Sequence, residues 1–154
     1  MNICFLDYDG VVNTPMWNAE GTHCSYSVNN IVNNFQAVQW VSEFCQKNDF
    51  KIVVTSTWRF QPDYKECLIK GGLRDGVEII GRTKHISGAK RGEEIKEWLT
   101  SHNDIDKYII IDDDRDFLQS QLSHHVRTFS EVGFTLREYN RAMKMLKDGA
   151  LDNI

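Results

Sequence analysis

The sequence predicts an α/β fold in which a mainly parallel sheet lies between two layers of helices. Three short apolar runs have the length and composition of buried strands: Ile3–Leu6, Lys51–Val54 and Tyr108–Ile111. Helical patterns separate these runs, and this alternation of strand and helix is typical of parallel sheets. The 154 residues suit one domain with a single hydrophobic core. We therefore expect one three-layer αβα domain over residues 1–154.

Three helices are predicted from apolar side chains that recur at spacings of three and four. The first runs over Val28–Lys47, with the apolar positions Ile31, Phe35, Val38, Val41 and Phe44. The second runs over Gly92–Ser101 and places three apolar residues on one face: Ile95, Trp98 and Leu99. A closing helix is expected over Thr135–Lys147, because Thr135 and Glu138 fit a capping box at its start.

Shorter elements are predicted in the rest of the chain. Val77–Ile80 is expected to be a short strand, Phe117–Leu122 a short helix or turn, and Val126–Phe129 a late edge strand. Residues 13–27 and 60–76 each contain a proline and are predicted to be long loops after the first two strands.

Composition and charge exclude several classes of protein. The chain is 41% hydrophobic and 26% charged, which is ordinary for a globular protein, and its net charge of -4 gives no overall attraction to nucleic acid or anionic membranes. No apolar run approaches membrane-spanning length and the N-terminus lacks signal-peptide features, so we expect a cytoplasmic protein without membrane contact. The four cysteines form no CxxC pair, which argues against a zinc site or a disulfide framework: Cys4, Cys24, Cys45 and Cys67.

Polar side chains follow each of the three predicted strands. Asp7 and Asp9 follow the first in FLDYDGVVN, and VVTSTWR after the second brings Thr55, Ser56, Thr57 and Arg59. The third ends in IIIDDDRD, which contains Asp112, Asp113 and Asp114. Ligands bind beyond the carboxyl ends of the strands in open α/β sheets, so these groups are expected to converge on one site.

The residue types at this site point to phosphoryl transfer. Clustered carboxylates repel one another, and a divalent cation with oxygen ligands relieves that repulsion, which makes Mg²⁺ the natural candidate. The cation would also screen an incoming phosphate. One carboxylate can attack phosphorus and form an acyl phosphate, while a second acid two residues later can protonate the leaving group.

The order of these motifs resembles the haloacid dehalogenase (HAD) superfamily of phosphotransferases. The resemblance implies that Asp7 in FLDYDGVV is the nucleophile and that Asp9 is the general acid/base. It also implies that the hydroxyl of Thr55 in KIVVTSTWR binds a phosphoryl oxygen, with Ser56 as the alternative.

The same resemblance assigns a metal site and a phosphate-neutralising cation. Asp112 and Asp113 in YIIIDDD resemble the acid pair that holds Mg²⁺ together with Asp7 and the backbone carbonyl of Asp9, and Asp113 is expected to be a direct ligand. The superfamily places a lysine before a helix to neutralise the nucleophile and the phosphate. In SGAKRGEEIKEWL both Lys90 and Arg91 stand at that place, and both remain candidates although the helix start favours Arg91.

A narrower resemblance covers nearly the whole chain, from Asn2 to about Arg137. Four stretches are together similar to small HAD domains associated with RNA-repair proteins: the SxWR-like motif, GRT near residue 82, RGEEIKEWL and IIIDDD. This resemblance implies a Rossmann-like fold with a short β-hairpin flap after the first motif and no large cap. It implies a phosphatase whose substrate is a nucleotide or a nucleic-acid end, a polynucleotide 3'-phosphatase being the more specific form.

Aromatic and basic side chains near the predicted site could contact such a substrate. Trp58 and Arg59 are candidate substrate-binding residues, and five more aromatic residues could stack on a base: Trp17, His23, Tyr26, Phe60 and Tyr64. Aromatic residues at loop bases also often pack in the core. One basic cluster is a pattern usually found on a solvated face: Lys84, His85, Lys90 and Arg91.

Other classes of function compete with an enzyme. The alternative is a non-catalytic or receiver-like module of HAD-like fold that binds phosphate or a nucleotide. In receivers the acid pair comes first and the threonine and lysine come last, whereas here the threonine precedes the basic motif and an acid pair comes last, which disfavours a receiver. A P-loop kinase is excluded because GxxxxGK[ST] is absent. Neither the oligomeric state nor the exact substrate follows from the sequence.

Overall fold

A computed structural model describes residues 1–14, 27–28, 31–32 and 34–154. The strands are β1 (Asn2–Leu6), β2 (Ser27–Val28), β3 (Ile31–Val32), β4 (Phe50–Val54), β5 (Ile79–Arg82), β6 (Lys107–Asp112) and β7 (His125–Arg127). The helices are α1 (Phe35–Asn48), α2 (Tyr64–Lys70), α3 (Arg91–Thr100) and α4 (Leu136–Lys147). Two 3-10 turns span Thr57–Phe60 and Gln119–His124.

The main sheet has five strands in the order β5-β4-β1-β6-β7, and every neighbouring pair is parallel. The first strand of the chain is therefore the central one. Leu6, the last residue of β1, is in register with Val54 of β4 and with Ile111 of β6. The three predicted strands thus end side by side, and the predicted parallel α/β sheet is confirmed.

Helices cover both faces of the sheet, because alternate side chains of each strand point in opposite directions. Ile3 and Phe5 of β1 pack with Ile95 and Trp98 of α3. The intervening Cys4 and Leu6 pack on the other face with side chains of α1, α2 and α4: Val38, Val41, Phe44, Leu68 and Ala142. Full burial of one such aliphatic side chain contributes about 1.5–3 kcal/mol, so both layers stabilise the strand that leads to Asp7. The three-layer arrangement is confirmed.

The first helix begins later than predicted. Ser27–Val28 and Ile31–Val32 form a two-stranded antiparallel pair, and the helix begins at Phe35. The β-branched residues of this segment favour extended backbone, and Asn34 caps α1 by accepting a hydrogen bond from the Ala37 N–H at 3.1 Å. The antiparallel pair lies in the region where the resemblance implied a hairpin flap.

The segment predicted as a second long loop contains a helix. Residues 60–76 include α2, whose Tyr64, Cys67 and Leu68 are buried at the spacing of one helical face. Pro62 and the Gly71–Gly72 pair favour a loop locally, but the eight residues between them leave room for the seven-residue helix. In the described ranges the connection from β1 to β4 contains β2, β3 and α1, and the connection from β4 to β5 contains a 3-10 turn and α2, so neither holds an inserted domain.

The remaining elements differ from prediction only in their bounds. The strand predicted over Val77–Ile80 is β5, two residues further along, and the predicted late edge strand is β7. The short helix or turn expected after β6 is the 3-10 turn Gln119–His124. α4 begins as predicted, with the Thr135 N–H donating to the Glu138 carboxylate at 2.9 Å.

Two further observations bear on the predicted class of protein. No helix in the described part of the chain is long and apolar enough to cross a membrane. Cys4, Cys45 and Cys67 are buried and free of disulfides, and the predicted core positions of Cys4 and Cys45 are confirmed.

Candidate active site

Three carboxylates meet where the central strands end. Asp7, Asp112 and Asp113 each offer an oxygen atom, and these oxygens lie within 4.8 Å of one another. Asp7 and Asp112 are buried, whereas Asp113 is half-buried. Oxygen donors at this separation suit a hard divalent cation, so this cluster fits the predicted Mg²⁺ site.

The sheet itself holds two of these carboxylates in place. The Asp7 N–H continues the ladder by donating to the Ile111 carbonyl at 3.1 Å. Asp112 ends β6, and its Oδ1 accepts a hydrogen bond from the Asp114 N–H at 2.9 Å. Asp114 itself is exposed and outside the cluster.

Gly10 allows the third carboxylate to approach. Its φ of +80° is one that glycine adopts easily, and a Cβ at this position would lie 2.3 Å from Asp113 Oδ2. That oxygen also accepts a hydrogen bond from Ser130 Oγ at 2.8 Å, while Thr128 Oγ1 donates to the Gly10 carbonyl at 2.6 Å. The turn after Asp9 is therefore fastened directly to the loops that follow β6 and β7.

Arg91 is the cation in the site. Its Nη1 lies 3.1 Å from Asp7 Oδ1 and 2.7 Å from Asp112 Oδ2. The Arg91 backbone N–H donates to the carboxylate of Asp116 at 3.2 Å, which fixes the first turn of α3. Lys90 is exposed, and its backbone N–H donates to the Glu93 carboxylate at 2.7 Å. The geometry therefore favours Arg91 over Lys90 as the cation that neutralises the nucleophile and the phosphate.

Burial dominates the electrostatics of this cluster. It raises the pKa of Asp7 well above its usual range, the nearby Asp112 raises that pKa further, and Arg91 opposes both effects. Burial likewise raises the pKa of Asp112 to about 6, again against the effect of Arg91. Burial alone would lower the pKa of Arg91, but Asp7 and Asp112 more than offset it and raise that pKa. The positive charge of one guanidinium does not fully offset the negative charges of the acids, and a bound divalent cation would supply the remaining positive charge.

Asp9 lies outside the three-carboxylate cluster and has a separate environment. Trp58 Nε1 is 3.1 Å from each of the two Asp9 carboxylate oxygens, and Asn13 Nδ2 is 3.2 Å from Oδ1. Trp58, predicted as a substrate contact, is therefore directed at Asp9. These donors hold the Asp9 carboxylate in a defined orientation beside the cluster.

Thr55 and Ser56 differ in a way that separates the two candidates for phosphate binding. The Thr55 side chain is buried, and its Oγ1 has no hydrogen-bond partner in the described part of the chain. Ser56 Oγ instead accepts a hydrogen bond from the Trp58 N–H at 3.2 Å and caps the 3-10 turn. A buried hydroxyl without a partner is costly unless a ligand supplies one, so the structure favours Thr55.

Arg59 is buried under the site and does not face solvent. Its guanidinium donates to the backbone carbonyls of Thr55, Ser56 and Thr83 and to Glu94 Oε2, the last at 2.8 Å. The predicted substrate contact of Arg59 therefore gives way to a structural role, because these acceptors engage all three of its nitrogen atoms.

Four residues around the site were not assigned from sequence: Asn13, Asp116, Thr128 and Ser130. Asn13 and Asp116 each stand four residues after an assigned acid, Asp9 and Asp112, and that short spacing could have drawn attention to them. Ser130 has no local signal, because it reaches Asp113 only through the parallel pairing of β6 and β7. Trp17, His23 and Tyr26 lie outside the described residues.

One of three comparisons with known proteins identifies a family for this chain. A search of curated proteins and a search of solved structures gave no match. A family model described as "HAD domain in Swiss Army Knife RNA repair proteins" matches residues 3–139, a range that includes every acid of the cluster and Arg91. Phosphatase-type chemistry and a divalent metal are general features of HAD domains. The chain therefore belongs to the family of HAD domains found in Swiss Army Knife RNA repair proteins.

Proposed function

We propose that this protein is a Mg²⁺-dependent phosphomonoester hydrolase that acts through an aspartyl-phosphate on Asp7. The observation that supports it most is the position of Asp7: a buried carboxylate at the end of the central strand, 3.1 Å from Arg91 and within 4.8 Å of the ligand oxygens of Asp112 and Asp113. Membership of a HAD family supports the same chemistry.

The metal-binding residues in this proposal are Asp7, Asp112 and Asp113, with the backbone carbonyl of Asp9. Oxygen ligands of this kind favour Mg²⁺ over softer metals. When bound, Mg²⁺ supplies positive charge that keeps the buried acids ionised and offsets the charge of the phosphoryl oxygens.

In the first half-reaction an Asp7 carboxylate oxygen attacks phosphorus and forms the acyl-phosphate bond. The bond from phosphorus to the leaving oxygen breaks, and Asp9 gives its proton to that oxygen. Arg91 holds Asp7 Oδ1 at 3.1 Å, which leaves the Oδ2 side of the carboxylate to act as the nucleophile. The Thr55 hydroxyl, which lacks a partner, donates to a phosphoryl oxygen.

In the second half-reaction water attacks the phosphorus of the acyl phosphate. Asp9, now a carboxylate, accepts a proton from that water, and the bond to Asp7 breaks to release inorganic phosphate. Trp58 and Asn13 keep the Asp9 carboxylate in one orientation through both steps. Each residue returns to its starting protonation state, so the cycle balances.

A phosphorylated nucleic-acid end is the substrate class that we favour, with a free nucleotide as the alternative. The family description names RNA repair proteins, which supports a nucleic-acid end, and a 3'-phosphate is the specific form that we propose. The connections in the described ranges hold no inserted cap domain, which supports a macromolecular end as the substrate.

Hydrolysis of a generic aryl phosphate tests the reaction. The wild-type protein is expected to require Mg²⁺ and to lose activity with a chelator, and Asp7→Asn should abolish turnover. Asp114→Asn is the matched control, because Asp114 belongs to the same acidic run but is exposed and outside the cluster. Equal activity in the wild-type protein and the Asp7→Asn variant would refute the proposal.

Two further measurements separate the alternatives. A 3'-phosphorylated oligonucleotide assayed beside free nucleotides distinguishes the two substrate classes. Treatment with acetyl phosphate distinguishes an enzyme from a binding module, since a phospho-form that persists for hours indicates a receiver-like protein and rapid release of phosphate indicates a hydrolase.

A further inference from the structure

A small cavity lies beside the candidate active site and plays no part in the chemistry proposed above. It has a volume of about 300 Å³ and is lined by Arg59, Phe60, Arg82, Thr83, Lys84 and His85. We call it the β5 cavity, because four of these residues are the last residue of β5 and the three that follow it. It combines exposed aromatic rings with cationic side chains.

The β5 cavity opens at the same edge of the sheet as the catalytic carboxylates. β5 lies two strands from β1 in the sheet order, a separation of roughly 10 Å between strand axes. The Thr83 N–H donates to the Val54 carbonyl at 3.1 Å, and Arg59 Nη1 donates to the Thr55 carbonyl at 2.5 Å. The cavity wall is therefore continuous with the loop that carries Thr55.

The aromatic side chains of the cavity are available to a ligand. Phe60 is 54% exposed, although a large apolar side chain is usually covered, and its ring lies 5.6 Å from the His85 ring in an edge-to-face arrangement. The Arg59 guanidinium packs against Phe60, 4.6 Å from the ring centroid. The exposed pair of rings offers a stacking surface for a nucleic-acid base.

Polar groups of the cavity fit a phosphodiester. Arg82 is exposed and is held against Tyr64, with its guanidinium 4.9 Å from the ring centroid. Lys84 is 75% exposed, and its ion pair with Glu97 is a surface pair that a phosphate can replace. Thr83 is buried, and its Oγ1 has no partner in the described part of the chain. Glu94 lies 3.5 Å from His85 Nδ1, and its charge is offset by the Arg59 guanidinium at 2.8 Å.

We propose that the β5 cavity binds the nucleotide next to the terminal phosphate of a single-stranded nucleic acid. The base stacks on Phe60 and His85, and the adjoining phosphodiester contacts Arg82 and Lys84. This inference rests on the proposed function at Asp7, since the terminal phosphate lies there. It places the strand on the β4–β5 side of the site and not on the β7 side.

Steady-state hydrolysis of two substrates tests the cavity: a short 3'-phosphorylated single strand and an aryl phosphate. Phe60→Ala and the double variant Arg82→Gln/Lys84→Gln should each lower the ratio of kcat/KM for the strand to kcat/KM for the aryl phosphate about tenfold or more, mainly through KM. An unchanged ratio in both variants overturns the inference. A wild-type protein that prefers a phosphoserine peptide to the strand also overturns it, in favour of a protein substrate.

Two matched controls should keep the wild-type ratio. Phe129→Ala removes an equally exposed phenyl ring that packs on Arg137, but on the β7 side of the site. Lys144→Gln removes a lysine that is 76% exposed and paired with Asp148, on α4. If Phe129→Ala lowers the ratio of kcat/KM for the strand to kcat/KM for the aryl phosphate and Phe60→Ala does not, the strand lies on the β7 side of the site and the inference is refuted.

A binding measurement separates this inference from the proposed function. Asp7→Asn protein is titrated with a fluorescently labelled 3'-phosphorylated strand, with and without Phe60→Ala in the same chain. Weaker binding in the Phe60→Ala background supports the cavity even if the wild-type protein hydrolyses nothing. Hydrolysis of the aryl phosphate without any binding of the strand leaves the proposed function standing and overturns the cavity.

Discussion

The buried pair of Arg59 and Glu94 gives a quantitative prediction about stability. It joins the 3-10 turn after β4 to α3, the helix that begins at Arg91. The side chains are only 3% and 6% exposed, and Arg59 Nη2 lies 2.8 Å from Glu94 Oε2. The other Glu94 oxygen accepts a hydrogen bond from the Ile86 N–H at 3.0 Å. The perturbation that isolates the charge is Glu94→Gln, since glutamine keeps the shape and an acceptor for Ile86.

The expected cost follows from what Arg59 loses and what it keeps. Removing one partner of a buried ion pair costs about 3–5 kcal/mol, because the other charge stays buried without compensation. Arg59 retains three backbone carbonyl acceptors, so we expect the lower end of that range, about 3 kcal/mol. With a urea m-value of about 2 kcal/mol per M, the midpoint of unfolding should fall by roughly 1.5 M.

Urea unfolding followed by circular dichroism measures this shift. Glu97→Gln is the control on the same helix, because Glu97 pairs with Lys84 at the surface and its loss should leave the midpoint unchanged. A double-mutant cycle with Arg59→Met should show that the two substitutions together cost less than the sum of the single ones. Equal midpoints for Glu94→Gln and Glu97→Gln, or a coupling energy near zero, would refute the reasoning.

Three other predictions concern the site and the pH dependence of folding. Gly10→Ala places a methyl group against Asp113 at a left-handed backbone position, which should displace the Asp113 carboxylate. A Mg²⁺ titration should then show a higher concentration for half-maximal activity, and an unchanged concentration would contradict the close approach of Gly10 to Asp113. Thr55→Val should leave the free energy of unfolding unchanged or raised, because the Thr55 hydroxyl has no partner in the described part of the chain. The same substitution should lower kcat/KM for an aryl phosphate about a hundredfold. A variant that is destabilised but remains active would contradict this prediction. Burial lowers the pKa of His124, so below a pH of about 6.5 this residue makes the unfolded chain bind more protons and lowers stability as the pH falls. The raised pKa values of Asp7 and Asp112 act in the opposite direction, so the effect of His124 is read from the difference between two proteins. Between about pH 7.5 and about pH 5.5, the urea midpoint of His124→Gln should change less unfavourably than that of the wild-type protein, and the same change in both would contradict the prediction.

The strands and the acids at their ends could be predicted because both signals are local. β1, β4 and β6 are buried on both faces, so each appears in the sequence as an uninterrupted apolar run that ends in polar residues. The parallel topology then brings Asp7 and Asp112 together without any further information. The cation of the site could be narrowed to two neighbouring residues, Lys90 and Arg91, because the start of a helix can be predicted only to within about a residue.

The orientation of side chains could not be predicted in the same way. Arg59 follows a polar strand end and looks like a ligand contact, but the acid that fixes its position lies in α3, far along the chain. Trp58 is equally ambiguous, since only the folded turn directs its N–H to Asp9. The predicted start of α1 was wrong for a different reason. The apolar spacing typical of a helix continues through residues whose β-branched side chains favour a strand pair.

The central position of β1 also has a consequence for folding. The first strand of the chain pairs with β4 and β6, so Asn2 lies opposite both Phe50 and Lys107. Contacts between residues so distant along the chain must form against a large loss of chain entropy, which slows folding. During synthesis the first strand has no partner until β4 has been made, and its second edge stays open until β6 follows. The carboxylates of the candidate metal site are therefore expected to come together late, since a chain without β6 has an open apolar strand edge and lacks Asp112 and Asp113.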